Sequence, residues 1–220
     1  MTEAQEMLFR TPQEAIVFAY HYSMQQQGRP LADRLAAPGA RMSKGLSGND
    51  GAGQAGMILA ELHGLASLER AALVARYAPR SIPCSCKSAC CSGHMPNPTW
   101  RDAILELEQH SQTLLAGHAP NYWLRRRLIE KAVGLKVELK SLAKESGVSE
   151  KTAAAHWRII KEWMSGRAAQ HTISRTDRSR TREADTDSGT HSAPAIDGLL
   201  SSARRNADNI LSALDFIGEA

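Results

Sequence analysis

Aromatic side chains are scarce in this chain, at 5% of 220 residues, and β-branched residues form no long runs. Both shortages argue against a large sheet, which draws on those residue types, and favour an all-α protein. No apolar run exceeds a few residues and no charged n-region leads into one. Neither a membrane span nor a signal peptide is therefore expected, and a cytoplasmic location is. The four cysteines all fall between Cys84 and Cys91, so no disulfide can staple distant parts of the chain. Arrangements used in catalysis are also missing: no nucleophile with its base, no paired carboxylates and no phosphate loop can be placed, so an enzyme is not expected. "GAGQAG" at 51–56 matches the dinucleotide fingerprint, but the polar "RMSKGLSGND" precedes it where a buried strand is required. It reads as the small-residue start of a helix.

A net charge of +4 is modest, and its distribution is more informative than its size. Lys and Arg balance Asp and Glu at ten each in residues 1–119, exceed them eleven to five in 120–167, and trail six to eight in 168–220. The basic excess is confined to one short segment, which is where an anionic partner is expected.

Helical periods fill most of the chain. Thr11, Pro12 and Glu14 make a capping box and first turn for a helix from Pro12 to about Gln27. Residues 28–50 read as a loop, whose Arg29, Arg34, Arg41 and Lys44 are at best secondary contacts. Asp50 is expected to cap a helix carrying Ile58, Leu62 and Leu65, and Ser67 to cap a second with Leu68, Ala72 and Ala75 on one face. Asn97 before Pro98, or Thr99, starts a helix with Trp100, Ile104, Leu107 and Leu114 at helical spacing. Three more helices follow between Asn121 and Met164. His21, His63, His110 and His118 lack partners four residues away and read as surface or half-buried side chains.

"SLAKESGVSEKTAAAHW" has the layout of a helix-turn-helix. Such a motif wants a small residue where its helices touch, a glycine where the chain turns with positive φ, and an apolar residue just after. Ala143, Gly147 and Val148 supply these. Ser149 then caps the second helix, leaving Glu150, Lys151, Ala154, Ala155, Arg158 and Lys161 outward to meet a major groove. Arg and Lys read guanine edges, while Thr152 and Arg125, Arg126 and Arg127 of "LRRRL" are expected on phosphates. Ala153 and His156 stand where larger aliphatics usually plug the core, so Trp157 and Ile160 are expected to do so, with the helix slightly rotated.

"LAKESGVSEKTAAAHWRIIKEWM" resembles the helix-turn-helix of sigma-factor region 4 and of related bacterial and phage regulators. With the "CCSGHMPNPTW" segment ahead of it, the layout is similar to phage antitermination Q proteins. The two separated CxxC pairs of that group are replaced here by one cluster. The resemblance implies a transcription regulator that binds near a late promoter and joins a paused RNA polymerase, so that terminators are passed.

Cys84, Cys86, Cys90 and Cys91, with His94, offer five soft or borderline ligands within eleven residues. Structural zinc is the expectation, and an ordinary thiol loop or redox and iron–sulfur chemistry are the alternatives. Adjacent Cys90 and Cys91 point apart, so Cys84, Cys86, one of that pair and His94 make the easier set.

The expected organisation is an N-terminal helical region (1–119) with its Cys-rich loop (84–94), a trihelical helix-turn-helix domain (120–166), a flexible linker (167–194) and an amphipathic helix (195–220). The linker, including the arginine-rich "SRTDRSRTRE", has almost nothing apolar to repay its ordering. In the last segment Ile196, Leu200, Ala203, Ala207, Ile210, Leu214 and Ile217 alternate spacings of four and three. That pattern suits a homodimer seam or a tail helix folded onto its own core. The expected function is sequence-specific binding of double-stranded DNA in transcription regulation, with RNA polymerase as partner by resemblance. The alternative is a helical protein-interaction module without DNA specificity.

Overall fold

The computed structural model describes residues 7–26, 48–84, 86, 91–115, 121–167 and 196–218. Helix α1 (Pro12–Gln26) starts as its sequence provides: the Thr11 hydroxyl accepts from the Glu14 amide at 3.2 Å, and the Glu14 carboxylate accepts from the Arg10 amide at 3.0 Å. Helix α2 (Gly48–Leu62) begins ahead of Asp50, which sits in its first turn rather than capping it. "GAGQAG" lies inside this helix.

Helix α3 (Ser67–Tyr77) departs from expectation at its start. Ala66 is the N-cap and no side chain caps it. Arg70 instead ties down the connection from α2, its Nη1 donating to the His63 carbonyl at 2.7 Å and the Leu65 carbonyl at 3.3 Å. Residues 71–75 are buried all round the helix. Such a helix must be central, and α3 packs on α1, on α4 (Pro98–Leu114) and on α8 (Leu199–Leu211).

Between α3 and α4, strands β1 (Ser81–Pro83) and β2 (His94–Pro96) pair antiparallel, with Ser81 opposite Pro96 and Pro83 opposite His94. Asn97 ends β2 and caps α4: its Oδ1 accepts from the Thr99 amide at 3.0 Å while its Nδ2 donates to the Pro79 carbonyl at 2.6 Å. Trp100, Ile104 and Leu107 are buried as expected, but Leu114 is exposed and Leu115 takes the interior position.

Helices α5 (Tyr122–Ala132), α6 (Leu139–Ser146) and α7 (Glu150–Ser165) pack on one another, and α4 packs on α5 and α7. A single apolar cluster therefore runs through all eight helices of the described residues, from Phe9 to Ile217. Among the described residues, α4 and α5 on either side of residue 120 pack on each other within this cluster.

Strands β3 (Gly166–Arg167) and β4 (Ile196–Asp197) pair antiparallel, so the two ends of the linker segment meet. Residues 168–195 themselves lie outside the described residues, as do Arg29, Arg34, Arg41, Lys44 and His118. Helix α8 folds back on α1, α2, α3 and α7. Leu200, Ala203, Ala207, Leu211 and Ile217 are buried, whereas Ile196 is exposed. Within the chain, α8 lies as a tail helix on the core.

Candidate nucleic-acid interface and cysteine cluster

The connection between α6 and α7 is made by three residues, each with a local reason. Gly147 has φ 68°, a left-handed conformation that glycine adopts without steric cost. Val148 donates its amide to the Ala143 carbonyl at 3.0 Å and packs against the core. Ser149 caps α7, its hydroxyl accepting from the Thr152 amide at 3.0 Å. Ala143 is buried where the two helices touch. At the other end of α6, Lys131 reaches the Val137 carbonyl and lies over the Trp157 ring, 5.4 Å from its centroid.

Glu150, Lys151, Ala154, Ala155, Arg158 and Lys161 are all exposed. Their spacing puts them on one side of α7. No ion pair among the described residues engages Lys151, Arg158 or Lys161. The opposite side carries Ala153, His156, Ile160 and Met164, all buried. The expected rotation away from Ala153 and His156 does not occur. His156 enters the core itself at 3% exposure, and Trp157 is only half-buried. Thr152 is half-buried and its hydroxyl bonds that of Ser149 at 2.8 Å, which makes it part of the cap.

The arginines of "LRRRL" stand differently from the expectation that they hold phosphates. Arg125 Nε donates to Glu108 Oε1 at 2.5 Å, and the two side chains are 13% and 2% exposed. Burying that carboxylate requires a cation beside it, which commits Arg125 to the protein. Arg126 meets Glu130 at 3.2 Å and Arg127 meets the same carboxylate. Two guanidinium groups thus share one negative charge and keep a net positive one.

The β1–β2 hairpin gathers three of the cysteines. The Cys84 amide donates to the Gly93 carbonyl at 2.9 Å, closing a loop in which Gly93 has φ 79°. The sulfurs of Cys84, Cys86 and Cys91 lie within 4.8 Å of one another. A tetrahedral zinc thiolate site needs sulfurs about 3.8 Å apart, so small side-chain rotations would suffice. Hydrogen bonding with the Cys86 thiol holds the Cys91 thiol above its ordinary range; the Gly93 backbone opposes this and Cys84 adds to it. His94 does not join the group. It is exposed on β2, where pairing with Pro83 fixes its backbone. Cys90 lies outside the described residues.

Two positions that stood out in sequence as part of the cysteine segment prove to be structural. Asn97 is wholly buried, and Trp100 donates its indole N–H to the Ala75 carbonyl at 3.0 Å, so "NPTW" locks α4 onto α3. A third feature escaped sequence reasoning: Tyr122 and Trp123, next to the arginines, are exposed. Comparison with protein-family models, curated proteins and solved structures finds no match to this chain.

Proposed function

We propose that this protein is a sequence-specific DNA-binding regulator of transcription, with α6 and α7 acting as a helix-turn-helix and α7 lying in the major groove. One observation carries the reading. The basic side chains of α7 stand exposed and without ion pairs among the described residues, beside α5 arginines held by carboxylates. Cations left unpaired in a row are what a phosphate-bearing duplex neutralises.

Arg158 and Lys161 then read guanine edges, Glu150 accepts from cytosine, and Ala154 and Ala155 meet thymine methyl groups. Lys151 and the amides at the start of α7 hold phosphates. Arg125 has no part in this interface. Cys84, Cys86 and Cys91 hold a structural zinc ion. The resemblance to phage antitermination Q proteins supports the narrower proposal that the regulator acts with RNA polymerase at a terminator.

Replacing both Arg158 and Lys161 by Ala is expected to weaken binding to a selected site by roughly 1–3 kcal/mol for each base-reading contact. Binding selection on fragments of the protein's own replicon, followed by titration at two salt concentrations, measures this. Undiminished specific binding by the double variant would remove α7 from the recognition role.

A second reading, a helical protein-interaction module, is favoured by an open groove of about 570 Å³ between α4, α7, β4 and α8, floored by Leu114, Ile159, Trp163 and Leu199. Stable protein complexes without salt-sensitive DNA affinity would support it.

A further inference from the structure

Tyr122 and Trp123, at 46% and 47% exposure, are the only exposed Phe, Tyr or Trp side chains among the described residues. They sit together at the head of α5. The Asn121 side chain caps that helix, and its Nδ2 also donates to the Ser146 carbonyl at 2.9 Å. Ser146 ends α6 just before the turn that launches α7, so the rings and the start of α7 occupy one end of the three-helix unit.

The chemistry of the pair suits an anion bordered by carbon. Tyr122 accepts from Arg126 Nη1 at 2.9 Å, which leaves the phenol hydrogen free to donate. The Arg127 guanidinium lies 5.7 Å from the Trp123 ring centroid. Arg126 and Arg127 share one carboxylate, so the patch combines apolar ring faces, O–H and indole N–H donors, and a net positive charge. A DNA backbone offers the complement: phosphate oxygens that accept, and deoxyribose carbons that pack on rings.

We propose that Tyr122 and Trp123 form a ledge gripping the sugar–phosphate backbone of the same duplex, beside the base pairs that α7 reads. This rests on the major-groove reading of α7. The ledge touches no base and neither ring is charged. Its contribution is therefore blind to sequence and leaves the salt dependence of binding unchanged.

The test uses the full chain and two labelled duplexes, the fragment enriched by selection and one of random sequence. Trp123→Ala and the conservative Tyr122→Phe are each expected to weaken binding to both duplexes by roughly three- to tenfold, with the salt slope preserved. Hydroxyl-radical footprints of the variants should lose protection of sugars at the edge of the site. Wild-type affinity of both variants on both duplexes overturns the ledge and leaves the α7 reading standing. A loss confined to the selected fragment also overturns it. A wild-type protein that binds neither duplex in a salt-dependent way overturns both.

Discussion

Glu108 lies beneath the start of α5 with a side chain 2% exposed, and Arg125 is the cation that makes its burial tolerable. Removing the cation leaves the buried carboxylate without its charge partner, so Arg125→Ala is expected to destabilise the fold by about 3–5 kcal/mol. Replacing the pair by Leu and Met together should be nearly neutral, since both desolvation costs vanish with the charges. Urea unfolding of the single and double variants measures the difference, and a single variant as stable as the double would mean the two groups are not coupled. The sequence shows Arg125 only as one of three arginines in a basic stretch. What separates it from its neighbours is a carboxylate on α4, and the depth of that carboxylate is set by helix packing that no local pattern encodes. His156 illustrates the same limit. A polar residue at a core position reads as a defect until the packed structure shows the helix unrotated and the imidazole inside.

Elements built from neighbours in sequence were legible; those built from distant pairs were not. The α6–α7 turn could be read because Gly147, Val148 and Ser149 each meet a local requirement, and the α4 start because Asn97 and Pro98 do. Strands β1 and β2 are three residues each, and only their pairing across the cysteine loop makes them strands. That pairing has a chemical outcome, since it brings three thiols together. If they hold zinc, the purified protein should carry one ion per chain, a chelator should lower its melting temperature, and added zinc should restore it. Cys91→Ser should release the ion. Melting that is identical with and without chelator, in protein purified with zinc present, would leave the hairpin as an ordinary thiol loop.

At the scale of the whole molecule, α8 joins the two ends of the described chain. The Leu8 amide donates to the Phe216 carbonyl at 3.0 Å and the Gly218 amide to that of Phe9 at 2.8 Å, while α8 itself lies on α1, α2, α3 and α7. Alanine at positions 203 and 207, both wholly buried, makes a poor coiled-coil seam but permits close approach in a packed core. The two roles predict opposite signs for Ala207→Leu. In a dimer seam the larger side chain would strengthen association; in this core it overpacks and should destabilise by about 1–3 kcal/mol. Thermal melting and mass in solution decide: a higher melting temperature accompanied by a doubled mass would return α8 to the surface. The periodicity of α8 could be read in advance, but its partner could not, because the same apolar stripe serves either surface.

The lateness of α8 also bears on how the protein is made. Helices α1, α2 and α3 leave the ribosome long before the segment that covers them, and contacts between such distant parts of a chain cannot form until both exist. Until α8 is made, the part of those helices that it covers therefore lacks its native cover. Only once α8 has emerged can this part of the core close.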